Sequence, residues 1–246
     1  MRELWSMTDV GLVRKENQDA FAISQHEESG CTVGVVCDGM GGAAGGQVAS
    51  RMAVDIYLRE LSAHLQPGMT PEQLREVSSC AVSVANRAIW NAAEADPRYR
   101  GMGTTLVSAI SYEGGVVVTN VGDSRAYHIT SAGITRITRD HSLVERMVER
   151  GDITEEEARR HPNRNLITRA LGTDLSALSD GYIHPMASGD FLLLGSDGLV
   201  DTVTDQEMLF EVIHGGERST CMDRLLAIAK SHGASDNVTA VLMQKR

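Results

Sequence analysis

Three apolar runs in this chain each finish on an aspartate beside a glycine. VGVVCD ends at Asp38 before Gly39, VVVTNVGD at Asp123 after Gly122, and FLLLGSD at Asp197 before Gly198. Two more aspartates open apolar runs: Asp19 precedes AFAI, and Asp236 precedes NVTAVLM. Runs of this length and β-branched content read as strands. One Asp-Gly pair is ordinary turn chemistry, but five such carboxylates have a joint consequence. If the strands converge in one core, the carboxylates meet at one rim and repel one another unless something cationic sits among them. Lysine is scarce, occurring only at Lys15, Lys230 and Lys245. A hard divalent cation is the natural neutraliser, because oxygen ligands suit Mg²⁺ and Mn²⁺. A zinc cage would want His or Cys at ligand spacing, and no His-x-x-x-His pair occurs. No EF-hand loop is present. Glycine at 39 lets the backbone come close enough to a metal to offer the Gly39 carbonyl.

The order of elements points to an α+β architecture. Strands FAIS (21–24) and CTVGVVCD (31–38) precede two long Ala-rich helices, about 45–65 and 71–95. The second opens on Thr70-Pro71-Glu72-Gln73, which combines an N-cap, a first-turn proline and a capping-box glutamine. TTLVSAI, VVVTNVGD, RAYHIT and ITRIT follow with glycine turns between some of them, the spacing of a hairpin meander. A polar helical region spans 142–160, with capping boxes expected at Ser142…Glu145 and Thr154…Glu157. Strand 191–197, helices starting near Thr204 and Arg218, and strand 237–243 close the chain. Antiparallel hairpins around a separate helical pair argue against an alternating parallel sheet. One domain over 1–246 is expected.

A net charge of −10 disfavours a nucleic-acid partner. No apolar run approaches the roughly 18 residues of a membrane span, and the first residues lack a signal-peptide stretch, so a cytoplasmic protein off the membrane is expected. Aromatic residues make up only 4%, so aliphatic side chains and Met must build the core. Cys31, Cys37, Cys80 and Cys221 lack ligand spacing and read as reduced core thiols. Trp5 and Trp90 read as packing residues.

Rival chemistries fail on particular residues. Gly39-x-Gly41-x-x-Ala44 resembles a degenerate dinucleotide loop, but Asp38 would face the pyrophosphate with like charge. No lysine follows a glycine, so a Walker loop is absent. No arginine stands six positions after any cysteine, and neither Gly-x-Ser-x-Gly nor Asp-x-Asp-x-Thr occurs. Without an activated protein nucleophile, the chemistry points to metal-bound water.

The segments GLVRKENQDAF (11–21), VVCDGMGG (35–42), GMGTTLV (101–107), VGDSRAY (121–127), RDHSLVERMVERGDIT (139–154), HPNRNLITRALG (161–172), GDFLLLGSDGL (189–199) and SDNVTAV (235–241) resemble, in order, the bacterial branch of the protein phosphatase 2C family. These are metal-dependent Ser/Thr protein phosphatases. The resemblance implies a four-layer α-β-β-α sandwich, with two antiparallel sheets flanked by helices. It implies two core Mn²⁺ or Mg²⁺ ions and a weaker third. Asp38 would bridge the core pair, with Gly39 ligating through its carbonyl. Asp197 and Asp236 would complete one metal's shell, and Asp19 would reach the metals through water. Asp123 with Asp197 would hold the third ion, and Arg14 would bind substrate phosphate. The implied reaction is direct hydrolysis of phosphoserine or phosphothreonine by a metal-bridging water, without a phosphoenzyme. Implied partners are phosphorylated proteins, among them Ser/Thr kinases and their targets, and a monomer is expected.

Against the family pattern, Met40 stands where eukaryotic relatives carry a His proposed as general acid. Ala43 replaces a usual His and Gln47 a usual Glu, which should tune hydrogen bonds around the ligands. Gly195 replaces Cys or Ala, a packing change. Gly103 and Gly172 are expected at turns and close contacts. The segment 139–172 matches a mobile flap and is the candidate for substrate selection and control of the third metal. His141 reads as a turn residue before the Ser142 cap. A catalytically silent phosphoprotein-binding module is the rival function, but nothing in it would require five aspartates plus Arg14.

Overall fold

The structure, a computed structural model, describes residues 3–245, apart from the side chains of Ala43 and Ala44. Eleven strands and seven α-helices are formed among these residues. One sheet joins β1 (Glu3–Asp9), β11 (Val238–Gln244), β10 (Phe191–Gly195), β7 (Arg125–Thr130) and β8 (Gly133–Arg136) in that order. The other joins β2 (Asp19–His26), β3 (Cys31–Met40), β5 (Leu106–Tyr112), β6 (Gly115–Val121) and β9 (Asp180–Pro185), with the short β4 (Gly103–Thr104) on β3. All pairings are antiparallel.

Three apolar layers show why β3, β5, β6, β10 and β11 read as nearly continuous hydrophobic runs: both of their faces are covered. Val36, Val107 and Val118 meet Leu192, Leu194 and Val241 between the sheets. The opposite face of β3 (Val33, Val35, Cys37) packs on Tyr57 and Leu61 of α1 (Gly42–His64) and Ile89 of α2 (Pro71–Ala95). On the far side, Phe191, Leu193 and Leu242 pack on Met208 of α6 (Asp205–Ile213) and Leu225 of α7 (Cys221–Ser231). The four-layer α-β-β-α sandwich is therefore formed as expected. A buried hydroxyl relay ties its first two layers together. Tyr57 Oη lies 2.7 Å from Ser78 Oγ and 2.6 Å from Ser108 Oγ, and Ser78 Oγ lies 2.6 Å from Thr119 Oγ1.

Several expectations are corrected. Strands β1 and β9, both at sheet edges, escape the sequence reading. Their mixed sequences ELWSMTD and DGYIHP lack clean alternation, and the ladder with a neighbour specifies them instead. The supposed meander is two hairpins in different sheets. The chain crosses at Gly122, whose φ of +107° and close approach to Thr105 make it a turn rather than a strand residue. Thr70, Thr154 and Thr204 form full capping boxes, whereas Ser142 caps α3 (Leu143–Arg150) without reciprocation. Glu145 instead reaches Arg136 at 3.4 Å. The helix expected near Arg218 begins with a 3₁₀ turn over Arg218–Thr220. Cys80 is exposed on α2, while the other three cysteines are buried, and all four are free thiols. Gly172 (φ +82°) abuts Ile89, the close packing expected of it. Trp5 packs against the outer layer, 6.5 Å from the Phe191 ring, and Trp90 is partly buried. No described helix is long and apolar enough to cross a membrane.

Candidate active site

The β2–β3 register sets Asp19 directly opposite Asp38. Like charges facing each other across a ladder are destabilising, so this pair needs an external reason. The other sheet brings Asp197, at the start of α5 (Asp197–Val200), and Asp236, just before β11, to the same rim. Asp123 arrives from the Gly122 crossover. Asp38 feels the charges of Asp197, Asp19 and Asp123, and Asp197 those of Asp123 and Asp236. All five aspartates singled out in the sequence thus meet in space.

Burial and mutual repulsion raise the proton affinities of Asp19, Asp38, Asp123 and Asp197. The Asp19 carboxyl is pushed up to about 6, Asp123 to about 7 and Asp197 to about 8, each mainly by desolvation. Desolvation, together with Asp197 and Asp19, pushes Asp38 well above the carboxylate range. Asp38 and Asp197 lie within proton-sharing reach of each other. Arg14 is the cation at the rim, its Nη2 donating to Asp236 Oδ2 at 2.7 Å while most of the side chain faces solvent.

Whether these residues suit a metal can be read from their unsatisfied atoms. Asp19 Oδ1 and Asp197 Oδ1 are buried and have no hydrogen-bond partner. Such oxygens are costly unless a cation takes them up. A cluster of carboxylate oxygens is the donor set of a hard divalent ion. Among the described residues no three His, Cys, Asp or Glu side chains already form a ready-made cage. Asp236 is held by Arg14, and Asp38 and Asp197 lean on each other. The donor chemistry fits Mg²⁺ or Mn²⁺.

Backbone packing explains the glycines. A Cβ at Gly39 would stand 2.1 Å from the Gly46 carbonyl oxygen of α1, and one at Gly198 would stand 2.0 Å from that of Asn237. At Gly195 the nearest atoms to a Cβ would be those of the Leu199 and Val200 side chains, so packing governs that position. Gln47 Nε2 donates to the Asn17 carbonyl at 3.3 Å, two residues from Asp19. A glutamate there could not make that bond. The Ala43 side chain lies outside the described residues.

Four structural groups went unread in the sequence. Ser196 Oγ donates to Asp19 Oδ2 at 2.8 Å and accepts from Thr239 N at 3.0 Å, joining the sheets beneath the cluster. Asn237 clamps the loop that carries Arg14. Its Nδ2 donates to the carbonyls of Val10 (2.9 Å) and Glu16 (3.0 Å), and its Oδ1 accepts from Gln18 N (2.8 Å). Both stand next to predicted aspartates, the one signal that could have exposed them. Asp201, raised by burial, adds negative charge near Asp123 and Asp197. Arg125 grips the buried Asp140 through Nε (3.1 Å) and Nη2 (2.8 Å), beside Asp123.

His141 does more than turn the chain. Its Nδ1 accepts from Gly122 N at 3.1 Å, which leaves the ring proton on Nε2, 3.1 Å from Asp180 Oδ2. Arg169 donates to Asp180 Oδ1 at 2.8 Å. Burial lowers the His141 pKa and keeps the ring neutral. The base of segment 139–172 is thereby tied to the crossover that presents Asp123.

Ser196→Ala is expected to weaken Mn²⁺ binding about tenfold, because the bond that orients Asp19 is lost. Ser196→Thr, if it keeps the hydroxyl in place, should recover most of that. Calorimetric titration reads both, and unchanged affinity in the alanine variant would remove Ser196 from this role.

Residues 13–227 match the sequence profile of the family described as Protein phosphatase 2C. The chain is 36% identical over 240 residues to the serine/threonine phosphatase stp of Listeria monocytogenes, covering 97% of this chain and 94% of that protein. It is 33% identical to the protein phosphatase PhpP of Streptococcus pneumoniae, over 98% and 96% of the two chains. The crystal structure of serine/threonine phosphatase Stp1 from Staphylococcus aureus superposes with a TM-score of 0.92 at 38% identity, covering 100% of this chain and 96% of the other. With the fold, the ordered motifs and the carboxylate rim in agreement, this chain belongs to the bacterial branch of the protein phosphatase 2C family.

Proposed function

We propose that this protein hydrolyses phosphoserine and phosphothreonine in proteins, using Mn²⁺ or Mg²⁺ and no covalent phosphoenzyme. The observation that carries this reading is the facing Asp19–Asp38 pair joined by Asp197, with one buried oxygen of Asp19 and one of Asp197 unpartnered. When bound there, hard cations would relieve the repulsion and supply the Lewis acidity that activates water and offsets phosphoryl charge. Asp19, Asp38, Asp197 and Asp236, with the Gly39 carbonyl, would hold the two core ions, and Asp123 with Asp197 a weaker third. Arg14 orients the phosphoryl group through a planar fork suited to two oxygens. Its bond to Asp236 keeps that fork at the rim before substrate arrives.

The nearest thiol, Cys37, is buried, and desolvation beside Asp19 and Asp38 pushes its pKa well up, so it stays protonated and takes no nucleophilic part. Met40 has no proton to give, so the leaving oxygen takes its proton from water or another group. Segment 139–172 acts on substrate choice and on Asp123 through the His141–Gly122 link. Relatives named protein phosphatase support protein substrates; Ser/Thr kinases and their targets, a cytoplasmic setting and a monomeric state complete the proposed reading.

The test is turnover of a phosphothreonine peptide and of an aryl phosphate. Both should proceed with Mn²⁺, stop with excess EDTA and resume when Mn²⁺ is restored. Arg14→Ala should raise KM more than tenfold with Mn²⁺ affinity retained. Turnover that persists in EDTA would overturn the metal-dependent reading.

A further inference from the structure

Leu12 and Val13 sit in the turn between β1 and β2, immediately before Arg14, and are 59% and 68% exposed. They are the one consecutive pair among the exposed large hydrophobics of the described residues. Single exposed apolar side chains are normal on a protein surface. Here the turn beneath them is locked. Gly11 (φ +78°) packs on the Asp236 backbone so tightly that a Cβ would lie 2.1 Å from its carbonyl oxygen. Gly11 N donates to Asp9 Oδ1 and Leu12 N to the Ala234 carbonyl, each at 2.9 Å. The Asn237 clamp holds both flanks of the loop, at Val10 and Glu16. Two aliphatic side chains are therefore held in water at a set position relative to Asp236 and Arg14. Preorganisation of that kind lowers the entropic cost of covering them.

We propose that Leu12 and Val13 form a ledge that receives an apolar side chain one or two residues from the phosphorylated Ser or Thr of a protein substrate. This rests on the reading of Arg14 as the phosphate-binding residue. An extended peptide advances about 3.3 Å per residue, so with its phosphoryl group on Arg14 those neighbours pass within about 7 Å of the phosphorylated residue. Val13 and Leu12 lie one and two positions before Arg14 on the same locked loop. An aliphatic or aromatic neighbour sheds water against the ledge, whereas a serine or a charged residue gains nothing there or loses hydration.

Two phosphothreonine peptides that differ only in carrying Leu or Ser on both sides of the phosphothreonine test this. With wild-type protein and Mn²⁺, kcat/KM should favour the Leu peptide by about tenfold, mostly through KM. In the double variant Leu12→Ser/Val13→Ser the ratio should fall to within about twofold of unity. Leu12→Ala/Val13→Ala serves as a milder second variant, with an intermediate ratio expected. A wild-type ratio near unity, or a ratio unchanged in the folded variants, overturns the ledge and leaves the phosphatase reading standing. Failure of wild-type protein to hydrolyse either peptide overturns that reading as well. If sedimentation shows a concentration-dependent dimer that the double variant abolishes, the ledge belongs to a second copy of the chain and the substrate assignment falls.

Discussion

Asp38→Asn is expected to lower kcat by about 10³-fold or more, on the order of 4 kcal/mol of lost transition-state stabilisation, while raising the stability of the metal-free protein. The two effects have one cause. Asp38 faces Asp19 across the β2–β3 ladder and also feels Asp197 and Asp123, so either ionising it or protonating it at neutral pH opposes folding when no cation is present. An amide of the same shape removes that cost and, on the proposed reading, a metal ligand with it. A gain of about 1–3 kcal/mol would raise the metal-free melting temperature by about 2–12 °C for a chain of this size. With millimolar Mn²⁺ the order should reverse, because only wild-type protein gains fully from binding linkage. Melting curves with EDTA and with Mn²⁺, beside turnover, check both halves. An aspartate with a purely structural role would lose stability in both conditions, and that outcome would falsify the assignment.

The second large effect is on pH dependence. The Asp19, Asp123 and Asp197 carboxyls titrate near 6, 7 and 8 in the folded metal-free protein, against about 3.9 when unfolded. Below about pH 4 both states are protonated and these groups contribute nothing. Between the two pKa values the native state holds more protons than the unfolded chain, so stability falls as pH rises. Above the folded pKa the full penalty is present. For Asp19 alone, a rise to about 6 corresponds to roughly 3 kcal/mol. The metal-free melting temperature should accordingly drop by several degrees or more from pH 5 to pH 8. Mn²⁺ held as proposed would bind the deprotonated carboxylates, so its stabilisation should grow over the same window and flatten the curve. A metal-free melting temperature that is constant or rising across this range would count against the cluster.

The two kinds of information divide along physical lines. Asp19, Asp38, Asp123, Asp197 and Asp236 were legible because each adjoins a strand whose apolar content is local. The buried strands and the capped helices at Thr70, Thr154 and Thr204 were legible for the same reason: propensity, periodicity and capping act over a few residues. Edge strands β1 and β9 were not, since their partners across the ladder define them.

Ser196, Asn237, His141 and the Arg125–Asp140 pair are ordinary polar residues in the sequence and acquire roles only from groups far along the chain. Ser196 meets Asp19 across 177 positions, and Asn237 meets Gln18 across 219. Local composition accounts for the residue types present and the strands that carry them: a surplus of carboxylates, few lysines, and apolar runs able to bury both faces. The packed layers place Asp19 opposite Asp38, bring two sheets to one rim, and hold the Arg14 loop there by a clamp. Register and contacts between distant segments depend on how whole layers pack, and no local stretch of chain encodes that.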